Sequence, residues 1–287
     1  MTYDERVTKG DARVAFVLGG GGVLGASEVG MLRALIEADA RPDLVLGTSI
    51  GAINGAMISA DPSIGAIERL TSLWHELIGG NVLGGSLLSQ TKTLIRTKTH
   101  LHQADPLREL LQSEFGDQSI DDLTVPFGCV AASIETASEH WFTNGPVVDA
   151  VLASSAVPGL LAPVEIDGEH FMDGGLVDSI PVGRAIEMGM HTIYVLQVGR
   201  IETPLKAPTR PWEVGTVAFE IARRHRFATT MANLPTHVKV HVLPTGNPVK
   251  VGGRQQLRYR DFSAVPDRIR SAYEATRAYL DAESTKP

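Results

Sequence analysis

"DLVLGTSIGAING", residues 43–55, decides how this chain is read. Leu44, Val45 and Leu46 form a short apolar run, Gly47 and Gly51 frame Ser49, and small and apolar residues at helical spacing follow. The order is strand, tight turn, helix. Gly47-Thr48-Ser49-Ile50-Gly51 matches G-x-S-x-G, a pattern that acts as a nucleophile turn only where a strand precedes it and a helix follows. Such a turn exposes the hydroxyl, and the helix N-terminus directs backbone N–H groups and a positive dipole end at the same spot. The plain alternative is a buried strand that happens to end in serine.

Working outward, the same rhythm recurs. "RVAFVLGG" (13–20) is an apolar run ending in glycine, and after it Val29, Leu32, Leu35 and Ile36 repeat at helical spacing. Repeated strand-turn-helix units predict an α/β fold with a mostly parallel sheet covered by helices. Further strands are expected in "VPFGCVAASIE" (125–135), "HWFTNG" (140–145), "HTIYVLQVG" (191–199) and "HVKVHVLP" (237–244). "VEIDGEHFMDGG" (164–175) reads as a hairpin turning at Asp167-Gly168. "VDAVLASSA" (148–156) and "AVPDRIRSAYEATRAYLDA" (264–282) read as helices. No repeat or linker stands out, so a single domain over 1–287 is expected, with a core at about 14–200 and an extension at 201–287 packed on it. Residues 78–106, rich in glycine and scattered apolar side chains, read as a lid or loop.

Composition narrows the function classes. With 43% hydrophobic residues in 287, a large core is within reach. The one cysteine, Cys129, excludes an internal disulfide and any cysteine-rich metal site. "MTYDERVTKGDAR" (1–13) lacks the apolar stretch of a secretory signal, and no run of about 18 uncharged apolar residues follows. A cytoplasmic protein is the expectation. The net charge of −7 is uneven: from Arg210 onward there are 13 Lys+Arg against 7 Asp+Glu. No aromatic-interleaved basic patch points to nucleic acid. Val217, Phe219, Ile221 and Phe227 alternate with Arg223, Arg224 and Arg226, which fits either a core-packed helix with a basic outer face or peripheral contact with anionic lipid. The packed form is the expectation.

"LGGGGVLGASEVG" (18–30) carries the second motif. Gly20, Gly22 and Gly25 satisfy G-x-G-x-x-G, which also serves dinucleotides. That use needs an acidic residue at the carboxyl end of the second strand, where this chain has the serine turn instead. Neighbouring parallel strands place their carboxyl-end turns side by side. The amides of Gly20, Gly21 and Gly22 can then face Ser49 as an oxyanion hole. The third motif, "FMDGGLVDSIPV" (171–182), offers Asp173 before Gly174 and Gly175. A buried carboxylate can take a serine proton directly, although Asp-Gly-Gly is also an ordinary turn.

Together, "GGGGVLG" (19–25), "GTSIGAINGA" (47–56) and "ASSAVPGLLAPVEIDGEHFMDGGLVDSIPV" (153–182) resemble the patatin-like phospholipases, lipid acyl hydrolases with a Ser-Asp dyad. The resemblance implies a three-layer α/β/α sandwich and a serine acyl hydrolase cleaving lipid carboxylic esters without metal or organic cofactor. It implies that Ser49 attacks the acyl carbonyl, that Asp173 is its general base, and that amides of Gly20, Gly21 and Gly22 bind the oxyanion. One position departs from the family pattern, because Leu24 stands where that loop usually has arginine or lysine. Losing that cation favours neutral esters.

Two other readings remain beside it. An α/β-hydrolase would add a histidine to serine and aspartate, with His170, His191, His225, His237 and His241 as candidates. A non-catalytic protein would use the glycine loop to bind a nucleotide, phosphate or lipid. The sequence does not give the oligomeric state.

Overall fold

β-branched and apolar runs too short for helices become the strands of one eight-stranded sheet. The computed structural model describes residues 13–79, 105–198, 204–246 and 264–285. The strands are β1 (Val14–Leu18), β2 (Leu44–Thr48), β3 (Phe127–Ser133), β4 (Ser138–Phe142), β5 (Val164–Ile166), β6 (Glu169–Asp173), β7 (Thr192–Leu196) and β8 (Lys239–Val242). The helices are α1 (Ala26–Glu37), α2 (Ile50–Ala60), α3 (Ile64–Gly79), α4 (Asp105–Phe115), α5 (Val147–Ser154), α6 (Val182–Glu187), α7 (Pro211–Ala232) and α8 (Val265–Ser284).

Strand order is β5-β6-β3-β2-β1-β7-β8, with β4 also paired to β3. β3, β2, β1, β7 and β8 are mutually parallel, whereas β4, β5 and β6 pair antiparallel. Strand alternation divides the core into two. Phe16, Leu18 and Val45 face a layer built from α1 to α5 and α8, and Ala15, Val17, Leu44 and Leu46 face α6 and α7. The three-layer sandwich expected from the sequence is therefore present. The hairpin turns at Asp167 and Gly168, both with positive φ, as a two-residue connection of this twist requires.

β3 positions the site. β4 runs along one of its edges from Cys129 to Ser133. Along the other edge β2 pairs as far as Thr48 opposite Val130, and β6 then continues from Ala131, which lies opposite Asp173. The carboxyl ends of β2 and β6 thus meet head-on. Ser49 and Asp173, 124 residues apart in sequence, are neighbours by register.

Of the segment read as a lid, 78–79 belong to α3 and 105–106 to α4, and the rest lies outside the described residues. Helix α3 brings Trp74 under the glycine loop. Its Nε1 donates to Asn54 Oδ1 at 3.1 Å, and Asn54 Nδ2 donates to Gly25 O at 3.1 Å and to Glu28 Oε2 at 2.7 Å. Glu28 is fully buried, and its desolvation outweighs these hydrogen bonds, so its carboxyl titrates well above its ordinary 4.5.

The folded state therefore keeps a proton that the unfolded chain releases above about pH 4.5. Stability falls as pH rises from there through the folded value. Glu28→Gln, neutral and of the same shape, should remove that decline and raise the urea midpoint at pH 8 relative to wild type, with little difference at pH 4. A variant less stable at both pH values would show the carboxyl to be needed as an anion.

Candidate active site

Ser49 lies between the end of β2 and the start of α2 with φ 57° and ψ −125°. Positive φ in a non-glycine residue costs of order 1–3 kcal/mol and persists only where surrounding contacts enforce it. Those contacts come from both sides. The Ser49 amide donates to Ser154 Oγ at 3.0 Å, and the Ser49 carbonyl accepts from Ser155 Oγ at 3.1 Å. Thr48 Oγ1 donates to the Asp178 carbonyl at 2.8 Å. A Cβ on Gly51 would lie 2.5 Å from Leu18 O, and one on Gly47 would lie 2.5 Å from Gly51 O. Both glycines flanking the serine are thus required by close backbone passage.

The Ser49 hydroxyl donates to Asp173 Oδ2 at 2.5 Å, with Ser49 8% and Asp173 3% exposed. Asp173 Oδ1 accepts the Gly175 amide at 2.7 Å, and the Asp173 amide donates to Ala156 O at 2.9 Å. Gly174 follows over β3 so closely that a Cβ there would lie 2.0 Å from Val130 O. Among the described residues no cation pairs with Asp173. Burial therefore prevails over the two hydrogen bonds and pushes its carboxyl from 3.8 up to about 6.

The glycine loop packs against the serine turn, with a Cβ on Gly20 falling 3.4 Å from Ser49 Cβ. The Gly20 amide, however, donates to Ser179 O at 3.0 Å and is already engaged. That alters the expectation of three oxyanion donors. The Gly21 and Gly22 amides have no acceptor among the described residues. Gly22 has positive φ and opens the 3₁₀ turn Gly22–Gly25, whose Gly25 lies against Ile50 at the start of α2.

The histidine candidates lie elsewhere. His170 bonds to Glu135 at 2.8 Å, the rings of His191 and His237 meet edge to face, and His241 stacks on Tyr194. His225 is exposed on α7. Among the described residues no histidine hydrogen-bonds to Ser49 or Asp173.

Helix α7 departs from the expected basic outer face. Arg223 turns inward, 5% exposed, with Nη1 donating to Gly20 O at 2.9 Å. Phe227 is buried, Ile221 is 55% exposed, and the side chain of Phe219 lies outside the described residues. Arg226 pairs with Glu139 at 2.9 Å and reaches 3.7 Å from Asp178, whose buried carboxyl is also pushed up to about 6. Sequence reading missed Ser154, Ser155, Ser179 and Arg223 as individual contributors. The first three fall in stretches it had singled out, and Arg223 was named only as part of a basic outer face. Among the described residues no helix is long and apolar enough to cross a membrane, and no cluster of three or more His, Cys, Asp or Glu forms a metal site.

Comparison with known proteins identifies relatives of this chain. Patatin-like phospholipase domain-containing protein 7 of Rattus norvegicus is 32% identical over 206 residues, covering 70% of this chain and 14% of that protein. Lysophospholipase NTE1 of Candida glabrata is 33% identical over 211 residues, covering 70% and 11%. The chain thus spans about a seventh or less of these relatives. VipD from Legionella pneumophila, a solved structure, aligns over 95% of this chain and 67% of its own at 12% identity and a TM-score of 0.47. The family description "Patatin-like phospholipase" matches residues 16–186, from β1 through most of α6, and this chain belongs to that family.

Proposed function

We propose that the protein is a serine acyl hydrolase that cleaves carboxylic ester bonds of lipids through an acyl-Ser49 intermediate. The observation that carries the reading is the 2.5 Å hydrogen bond from a strained serine hydroxyl to a buried carboxylate that lacks a cationic partner among the described residues. A carboxylate titrating near 6 is ionised at neutral pH and more basic than an exposed one. Asp173 takes the hydroxyl proton as Ser49 Oγ attacks the acyl carbonyl. The C–O bond to the leaving alcohol then breaks, and Asp173 returns the proton to that oxygen. Water, deprotonated by the same carboxylate, attacks the acyl-serine and releases the fatty acid with Ser49 restored.

The negative charge on the carbonyl oxygen needs preorganised donors. The amides of Gly21 and Gly22 are the donors in this reading, with the Gly20 amide held on Ser179. Lipid esters are favoured over small ones by the rim. Leu176, in the turn after Asp173, is 42% exposed, and Val157, next to the Ala156 carbonyl that holds the Asp173 amide, is 37% exposed. Apolar side chains there suit an acyl chain entering from a lipid aggregate, which makes peripheral contact with a lipid surface part of the proposal. The name of the Candida glabrata relative places lysophospholipids first among substrates to assay, and the leucine at position 24 places neutral esters second.

Turnover of p-nitrophenyl acyl esters of graded chain length, and of lysophosphatidylcholine, tests the reading. Ser49→Ala and Asp173→Asn should each lower kcat by at least about 10³-fold with the fold retained. Full activity in either variant, or abolition by substitution of one of the five candidate histidines, would overturn it.

The pH profile supplies a second check. The base form of Asp173 is populated above its pKa, so log kcat/KM should rise with unit slope and level off above about pH 6. Asp178 titrates in the same range, and Asp178→Asn should leave that limb in place. A limb that disappears in Asp178→Asn would transfer the titration to that residue.

A further inference from the structure

Arg223 is a buried cation satisfied at only part of its guanidinium. Nη1 donates to Gly20 O. Glu220 lies 3.6 Å from Nε and is shared with Arg224 at 3.3 Å. Among the described residues, Nε and Nη2 have no hydrogen-bond acceptor. A buried charge so incompletely paired destabilises the fold relative to an apolar side chain of similar length. Packing alone therefore does not account for arginine here.

Peptide geometry gives the residue a use. The Gly20 amide is tied to Ser179 O and the Gly20 carbonyl to Arg223, so Gly20 is held at both ends. The Gly20 carbonyl and the Gly21 N–H belong to one planar trans peptide and point in opposite directions. Fixing the first fixes the second. A positive charge at the oxygen end also polarises that peptide and strengthens its N–H as a donor. Glycine has wide conformational freedom, and an oxyanion donor accelerates a reaction only if it is in place before the charge develops.

We propose that Arg223 is the positioning residue of the oxyanion loop, reaching in from α7 to hold the Gly20–Gly21 peptide so that the Gly21 amide is preset for the oxyanion. The proposal rests on the reading of Ser49 as the acyl-accepting nucleophile. It adds that the loop's order comes from a side chain 203 residues away in sequence.

Arg223→Met and Arg223→Lys test it, each assayed for hydrogen exchange of the Gly20–Gly22 amides, for kcat and KM, and for the thermal midpoint. In Arg223→Met the Gly20 amide, which the Ser179 carbonyl protects, should exchange at least about tenfold faster. Its kcat should fall about 10- to 100-fold with KM within about twofold, because the lost contact acts in the transition state. The thermal midpoint should not fall. Arg223→Lys, which keeps a charged donor, should lie between Met and wild type, and it carries the test by itself if Arg223→Met does not fold. Unchanged exchange and kcat would overturn the proposal, as would a loss of kcat that follows a loss of stability with Lys no better than Met. Absence of ester turnover in wild type would remove the nucleophile reading instead, and exchange would still decide whether Arg223 orders the loop.

Discussion

One edge of β3 is divided between two strands that run toward each other, β2 as far as Thr48 and β6 as far as Asp173. Register alone then sets Thr48, the residue before Ser49, opposite Val130 and Asp173 opposite the next residue, Ala131. Because side chains alternate along a strand, a slip of one residue in β6 would turn Asp173 to the other face of the sheet. The chain must also leave this junction without collision. Gly174 does so directly over the Val130 carbonyl, and Ser49 does so by adopting a positive φ held by Ser154 and Ser155. Strain at the serine and the missing side chain at Gly174 are thus consequences of the same head-on meeting.

The junction is buried, and that sets its electrostatics. A carboxylate displaced from 3.8 to about 6 holds its proton more firmly by roughly 3 kcal/mol at about 1.4 kcal/mol per unit. In the folded state this is a cost above pH 3.8, since burial opposes ionisation there. A paired arginine or lysine would offset it, but would also lower the basicity of the carboxylate that the Ser49 hydroxyl donates to. The donors present, one hydroxyl and one amide, orient the carboxylate without neutralising it. Stability and basicity pull in opposite directions at Asp173, and the contacts around it favour basicity.

Local signals carried most of the fold. Gly47 and Gly51, the apolar run at Leu44–Leu46 and the hairpin turn at Asp167-Gly168 are each readable from neighbouring residues alone, and each is found where it was expected. Ile67, Leu70, Trp74 and Leu77 also repeat at helical spacing, a signal for α3 on which the sequence reading did not draw. Long-range satisfaction of polar groups was not legible. Whether the Gly20 amide is free depends on the Ser179 carbonyl, and whether Arg223 faces solvent depends on the Gly20 carbonyl. Helical periodicity counts an arginine as polar and turns it outward. A backbone acceptor supplied by a loop at the other end of the chain reverses that choice.

Helix α7 therefore bears on where the functional unit ends. The family match stops at residue 186, yet Arg223 holds Gly20 and Arg226 bridges Glu139 and Asp178, so α7 ties together three segments that surround Ser49 and Asp173. Asp178 is itself linked through its carbonyl to Thr48. Charges that the sequence concentrates after Arg210 are thus spent partly on loops of the acidic body rather than on an outside partner. The helix is attached chiefly through side chains rather than through a strand pairing of its own. Ser49 and Asp173 are brought together by strand register, whereas the Gly20 carbonyl is held by a side chain on a separate helix. The Ser49–Asp173 contact and the Gly20 contact thus rest on different elements of the fold, one on the sheet and one on α7.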